Sequence, residues 1–314
     1  MHAMLYQSAG QPDRIVAAEV PAPRPAANQL LVKLAASSVN PVDWKLRRRQ
    51  SFFYRPVTFP SIPGADLAGE VTEVGARVRG FKPGDRVFAM GPVTTGATSA
   101  EYAVVDETSA ALAPANLPLA ECAAIPLAAL TALQSLRDLG RIAAGQRVLI
   151  VGASGGVGHF AVQIAKSYGT HVTAVCGSRH VDMVRALGAD VVIDHTRQPD
   201  FRAVEPYDLV FDTAVRAPMR DFLAVLAPAG AYVSTLPDFG RVSAAILLPF
   251  ISRRRVRFSR VRARGADLDV LRELCEAGKL KPVIDKTFPL AELAAAHVYS
   301  QQGHAGGKIL ITIG

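Results

Sequence analysis

The residues of this chain best suited to hold an anion are Gly152-Ala153-Ser154-Gly155-Gly156-Val157-Gly158. An apolar run at 148–151 leads into them and reads as a buried parallel strand. Val157, Ala161, Ile164 and Ala165 then share one face of a helix that stops at Gly169, and residues 171–176 read as a second strand. Gly155 and Gly156 let the backbone approach a pyrophosphate, and Gly158 lets the helix lie close to the strand. Ser154, Gly155, Gly156 and Val157 stand where free N–H groups and the helix dipole, roughly half a positive charge, would meet that phosphate. Ala153 occupies the place of the first glycine in a dinucleotide fingerprint. A tight strand–helix turn with no ligand is the alternative.

A second anion contact follows. The end of the second strand reads Cys176-Gly177-Ser178-Arg179-His180, with no carboxylate before Asp182. An NAD site usually carries Asp or Glu about 20 residues after the turn, to hold the ribose 2′-hydroxyl. Here Ser178 can donate to a 2′-phosphate and Arg179 can pair with it in a bidentate way. The expected ligand is NADP(H), held by Gly177, Ser178 and Arg179. Otherwise Arg179 is a solvated first-turn residue.

These groups need a frame. Further strand-like runs lie at 190–194, 208–212, 231–236 and 256–261, with helical patterns at 181–187, 219–226 and 242–251. With the first two they make six strands, which predicts an α/β doubly wound parallel sheet. Ligands of such sheets sit at the carboxyl ends of strands. Thr213, Ala214, Val215, Thr235 and Leu236, with Pro237, are therefore expected at the nicotinamide half, ordinary strand-end turns being the alternative. Residues 1 to about 115 read as short strands (30–34, 70–78, 86–90, 101–105) punctuated by Gly and Pro, with no helical period, which suggests a partly open β-barrel. Residues 119–139 read as helix broken at Pro126. The remainder reads as helix 267–277 capped by Gly278, strand 282–288, helix 290–300 and strand 308–313.

A chain of 314 residues, half of them apolar, suits two domains. No apolar run is long enough for a bilayer, and residues 1–10 lack a basic segment followed by an apolar block. The expectation is a cytosolic protein without a secretory signal. Cys122, Cys176 and Cys275 are odd in number and lack metal or redox spacing, so buried thiols are expected. The net charge of +8 suits an anionic ligand, or weak attraction to nucleic acid. Its densest source, residues 253–264, is broken by Val256, Phe258 and Val261. That stretch reads as an outer strand whose arginines discourage edge pairing, in preference to a nucleic-acid arm.

Three segments carry a resemblance: Ile62-Pro63-Gly64-Ala65-Asp66-Leu67-Ala68-Gly69-Glu70-Val71, Phe81-Lys82-Pro83-Gly84-Asp85-Arg86-Val87, and Val39-Asn40-Pro41-Val42-Asp43. With Gly155-Gly156-Val157-Gly158 and the tail at 303–308, they resemble the medium-chain dehydrogenase/reductase superfamily from end to end. Within it the chain looks like a zinc-independent NADPH:quinone oxidoreductase of the zeta-crystallin-like group. The resemblance implies a GroES-like catalytic domain in 1–120 and 265–314, a Rossmann NADP-binding domain in 121–264, and a homodimer. It puts Thr131 toward the nicotinamide end. It puts His195, where the family often has Tyr, near the adenosine 2′-phosphate, a surface histidine being the alternative. Lys308 is a further cofactor contact by resemblance, although the Arg that the family has before Gly-Lys is absent from Gly306-Gly307-Lys308.

The same comparison argues against zinc. Zinc-dependent relatives carry Cys where this chain has Asn40, and Gly-His-Glu where it has Gly64-Ala65-Asp66. The four-cysteine lobe is missing, and none of the seven histidines is paired with Cys or Glu at ligand spacing. The family's substrate loop falls on Arg47-Arg48-Arg49 and Phe52-Phe53-Tyr54. It is an aromatic wall for a flat acceptor or, more plainly, a solvated basic turn with packed aromatics. Without a metal, hydride from NADPH suits quinones and α,β-unsaturated carbonyls, which delocalise the incoming charge and need only donors or a nearby cation. Asn40, Lys45 and Tyr54 are the candidates. No acid/base dyad stands out, and Asp43 is expected to order the turn after Pro41. An enoyl-thioester reductase using Arg47-Arg48-Arg49, or a low-turnover nucleotide- or RNA-binding protein, are the competing functions.

Overall fold

A computed structural model of the chain describes all residues except 51–55, 198–204, 216, 237–239, 244 and 247–251. It divides into two compact units, Met1–Leu130 with Ala263–Gly314, and Thr131–Arg262. The first boundary between the units falls at Leu130, inside a helix that Pro126 starts. Proline is tolerated in a first turn, where its missing N–H has no partner to lose.

The first unit opens with His2–Tyr6 (β1) antiparallel to Ile15–Glu19 (β2). Gln29–Val39 (β3) follows, then the helix Pro41–Arg47 (α1), Asp66–Val74 (β4), Arg86–Met90 (β5), Tyr102–Asp106 (β6) and Ala110–Leu112 (β7). Leu30, Val32, Leu34 and Ala36 face the core of β3 by simple alternation. The strand outruns the expected 30–34 because Ser37 and Ser38, although polar, are buried and paired on both sides. Strand β4 begins at Asp66, earlier than expected, since its ladder partners Ser38 and Met90 reach back that far. Helix α1 corrects the expectation of no helix before residue 115. Its inward residues are Asp43, Leu46 and Arg47, so no apolar stripe marks it. Local chemistry marks it instead: Pro41 opens the first turn, and Asp43 Oδ2 accepts the Asn40 amide at 2.7 Å. Leu119–Cys122 (α2) and Pro126–Gln134 (α3) close this part.

The second unit carries Arg147–Val151 (β8), Gly158–Ser167 (α4), His171–Cys176 (β9), Val181–Ala186 (α5), Val191–Asp194 (β10), Tyr207–Asp212 (β11), Met219–Ala224 (α6), Leu226–Ser234 (β12) and Arg255–Phe258 (β13). The six strands form one parallel sheet, β10-β9-β8-β11-β12-β13, the doubly wound arrangement expected. Leu149, Val210, Phe222, Tyr232 and Val256 share its core, each burial of such a side chain being worth about 1.5–3 kcal/mol. The arginine run supplies the outermost strand, β13. Arg254 donates to the Leu226 carbonyl at 2.9 Å. The expected helix at 242–251 lies largely outside the described residues.

The chain then returns to the first unit through Gly265–Glu276 (α7), Ile284–Pro289 (β14), Leu293–Gln302 (α8) and Lys308–Thr312 (β15). Strand β15 pairs antiparallel with β3, giving the order β14-β15-β3-β4-β5-β7, with β6 also on β3. Cys122, Cys176 and Cys275 are free and buried, and burial pushes their thiols up to about 12, 11 and 12. Among the described residues no helix is long and apolar enough to cross a membrane.

Candidate functional site

In the second unit the fingerprint folds as a cradle at the end of β8. Gly152 takes a left-handed φ of 78° and supplies the turn that Ala153 cannot. A side chain at Gly158 would begin 2.1 Å from the Gly152 carbonyl oxygen, so only glycine lets α4 approach β8 this closely. Gly155 bonds back to Gly152 at 3.0 Å, while the amides of Gly156 and Val157 donate to no backbone carbonyl among the described residues. Ser154, Gly155, Gly156 and Val157 therefore form a small amide-lined turn at the N-terminus of a ten-residue helix.

One strand over, Gly177, Ser178, Arg179 and His195 come together at the ends of β9 and β10. His195 Nε2 lies 3.6 Å from where a Gly177 side chain would begin, and Arg179 is exposed. The sequence reading missed Asp194, which β10 brings alongside. Ser178 Oγ donates to Asp194 Oδ2 at 2.5 Å, and Thr196 donates to Oδ1 through its hydroxyl and its amide. Those hydrogen bonds, Ser178's first, hold the Asp194 carboxyl down at about 2. The register pairing of Asp194 with Cys176 is the signal that could have found it. Across the switch point, Thr213 Oγ1 donates to the Val151 carbonyl at 2.7 Å, and the Ala214 and Val215 amides donate to Asp212. Thr235 donates its amide to the Asp212 carbonyl, and Leu236 is exposed. Thr131 is buried in α3.

In the first unit the predicted residues land unevenly. Asn40 is buried and both ends of its amide are taken: Nδ2 donates to Asp66 Oδ2 at 2.8 Å, and Oδ1 accepts from Lys308 Nζ at 2.6 Å. One Nδ2 hydrogen is thus committed to Asp66, and the residue is 3% exposed. Lys308, expected at the cofactor, spends its ammonium on Asn40 and on Asp66 at 3.2 Å, and it is 2% exposed. Asp66 itself is fully buried and collects Ser38 Oγ at 2.5 Å and the Leu127 amide at 2.7 Å besides. Lys45 stands half-buried on α1 with its ammonium over the Trp44 ring at 5.5 Å, and burial lowers its pKa. Tyr54 lies outside the described residues.

Arg47 is not part of a solvated basic turn. It is fully buried, with Nε on the Gly10 carbonyl at 3.1 Å and Nη1 against His297 Nδ1 at 3.1 Å. Burial and the guanidinium push His297 down to about 3, so it stays neutral and accepts. Nearby, burial lifts the Asp43 carboxyl to about 7; Asp66 adds to the lift, against the Asn40 amide bond, Lys308 and Arg47. Asp43 Oδ1 and Ser61 Oγ, both without a partner among the described residues, line a cavity of about 10 Å³ with Tyr6 and Gly64.

A zinc ion does not fit this first-unit cluster. Two of the side chains standing at the ligand positions of zinc-dependent relatives, Asn40 and Asp66, are already bonded to an internal ammonium. A dication there would face that charge. Among the described residues no group of His, Cys, Asp and Glu could hold a metal.

Comparison with known proteins agrees with this architecture. Residues 26–115 match the alcohol dehydrogenase GroES-like domain and 187–311 the zinc-binding dehydrogenase family. The chain is 37% identical over 323 residues to the chloroplast envelope quinone oxidoreductase homolog of Arabidopsis thaliana, covering 99% of this chain and 98% of that one. The chain belongs to the quinone-oxidoreductase group of the medium-chain dehydrogenases/reductases. It is also 33% identical to the chloroplastic NADPH-dependent alkenal/one oxidoreductase of the same plant, over 99% of this chain and 79% of that one. The quinone oxidoreductase structure from Coxiella burnetii superposes with a TM-score of 0.89 at 29% identity, covering 100% and 99% of the two chains.

Proposed function

We propose that this chain is an NADPH-dependent oxidoreductase that delivers hydride to quinones or α,β-unsaturated carbonyls without zinc. The observation that carries it is the Gly152-to-Gly158 cradle, where a single added carbon at Gly158 would strike backbone. With α4 packed so closely, the Gly156 and Val157 amides, which donate to no backbone carbonyl among the described residues, stand at the helix N-terminus where a pyrophosphate would lie. Ser154, Gly155, Gly156 and Val157 would hold the pyrophosphate. Arg179, which is exposed, and His195 would hold the 2′-phosphate together with the Gly177–Ser178 backbone, the Ser178 hydroxyl being given to Asp194. Thr213, Ala214, Val215, Thr235 and Leu236 would support the nicotinamide half. The reduced nicotinamide supplies the hydride.

The protein's part is to orient the acceptor, exclude water and offer a positive group where negative charge develops. Lys45 is the candidate for that group, and the proton is drawn from solvent. The enoyl-thioester alternative loses one of its three arginines to burial at Arg47, while Arg48 is bonded to Gln11 at 2.7 Å. The nucleic-acid alternative loses ground because β13 is folded into the sheet. Three unpaired buried thiols suit a reducing, cytoplasmic setting. A homodimer is the family expectation, read directly by sedimentation.

The test is a panel of a quinone, an enone, an enoyl-CoA and simple alcohols, followed by NADPH absorbance. Turnover of the quinone or enone, with the alcohols inert, is the expected result. Brisk oxidation of ethanol or cyclohexanol with NADP⁺, and no turnover of quinone or enone, would overturn the reading.

A further inference from the structure

Asp212, the last residue of β11, is fully buried and bonded on both oxygens. Its Oδ1 accepts the amides of Ala214 at 3.2 Å and Val215 at 2.8 Å. Its Oδ2 accepts the Tyr232 hydroxyl at 2.7 Å and lies 3.7 Å from Arg241 Nη2. Arg241 is itself buried, and donates through Nε to the Tyr232 oxygen at 3.1 Å and through Nη2 to the Ala217 carbonyl at 3.2 Å. Burial and the Asp212 charge push the Tyr232 phenol well above its usual range, so it remains a donor.

This network acts on a strained loop. Val215 has a φ of 52°, a left-handed conformation that a β-branched residue keeps only when its surroundings hold it there. The Asp212 carboxylate provides that hold on one side. On the other, Thr213 Oγ1 bonds the Val151 and Gly152 carbonyls at 2.7 and 3.2 Å. A side chain at Gly152 would begin 2.7 Å from that same hydroxyl oxygen, so the loop packs directly on the fingerprint turn. A strand-end turn needs no buried ion pair for stability, since an apolar replacement usually serves as well or better. What the pair supplies here is a fixed backbone.

We propose that Asp212, braced by Tyr232 and Arg241, is a positioning residue that fixes the Thr213-Ala214-Val215 backbone as the support for the nicotinamide end of the cofactor. This rests on the reading that NADPH lies across the carboxyl ends of this sheet. The test uses the full chain and two probes, NADPH and adenosine 2′,5′-bisphosphate, which carries the adenine half alone. Asp212→Asn and, as the gentler variant, Tyr232→Phe are titrated with both.

In each variant the bisphosphate should bind within about twofold of wild type, while NADPH weakens about tenfold or more and turnover with a quinone falls. Val215→Gly placed in the Asp212→Asn background should recover most of the loss, because glycine takes a positive φ unaided. Equal weakening of both probes, or no change in either, would overturn the inference. A wild-type chain that binds neither probe would overturn the cofactor reading and the inference with it, and that outcome needs no variant to recognise.

Discussion

Two buried groups in the first unit set opposite pH dependences, and their near-cancellation is a sharp consequence of the structure. Asp43 is lifted from 3.8 to about 7, first by burial and then by the charge of Asp66. In that window the folded chain holds a proton that the unfolded chain has lost. Unfolding therefore becomes easier as pH rises from 3.8 toward 7 and harder as it falls. His297 is lowered from 6.5 to about 3 by burial and by Arg47. Between those values the unfolded chain holds a proton that the folded chain refuses, so stability is lost as pH falls through 6.5 toward 3. Each group contributes a slope of about 1.4 kcal/mol per pH unit, with opposite sign, wherever both windows overlap.

The perturbation is to remove one at a time. Asp43→Asn keeps an acceptor for the Asn40 amide, and His297→Gln keeps one for Arg47. Urea unfolding, followed by the fluorescence of Trp44, reports directly on this region, since Trp44 is the single tryptophan and sits beside Asp43 on α1. Relative to wild type, Asp43→Asn should lose about 4 kcal/mol of stability as pH falls across the overlap, and His297→Gln should gain a similar amount. Asp194, held to about 2 by Ser178 and Thr196, is present in all three proteins and drops out of the differences. Curves for wild type and Asp43→Asn that run parallel between pH 3.8 and 6.5 would show that Asp43 is ionised in the folded chain, and the reasoning would fail.

Arg179→Ala should weaken NADPH by roughly one to two decades and barely touch NADH, since a charge-assisted bond is worth about 1.5–3 kcal/mol; equal wild-type affinities for the two cofactors in calorimetry would refute it. Lys45→Met should cut turnover with a quinone or enone by about 2.7–4 kcal/mol of barrier while NADPH affinity holds, and unchanged turnover would remove Lys45 from the mechanism. Protein purified without a metal tag should hold no stoichiometric zinc and keep its activity in chelator, and one tightly bound zinc per chain would contradict the role given to Lys308.

The fingerprint strand, its helix and the strand after it were legible because glycine punctuation and apolar runs are local signals. The same holds for β13, where Val256 and Phe258 interrupt an arginine run at strand spacing. What stayed hidden depends on distant pairing. Lys308 and Asp66 are 242 residues apart, and Arg47 and His297 are 250 apart. Charge alone made Arg47 look like a surface residue, and nothing local announces that the Lys308 ammonium meets Asp66. Helix α1 was lost for a related reason: two of its three inward side chains are ionisable, so the hydrophobic period that normally announces a helix is absent.

The buried cluster of Asn40, Asp66 and Lys308 bears on which acceptors the chain can reduce. In a zinc-dependent relative the cation near these positions is a Lewis acid that takes up the charge of a forming alkoxide. Here the cation is an ammonium whose bonds go to Asn40 and Asp66 and whose exposure is 2%. A group so enclosed ties together β3, β4 and β15, the strands that carry these residues or lead into them, and has no exposed face to turn toward a substrate. An acceptor must therefore carry its own negative charge away from the attacked atom, as a quinone or an enone does, and needs only a modest donor such as Lys45 where that charge comes to rest. On this argument a simple ketone, whose alkoxide forms on the attacked carbonyl itself, should stay a poor substrate beside a quinone or an enone in the same NADPH assay.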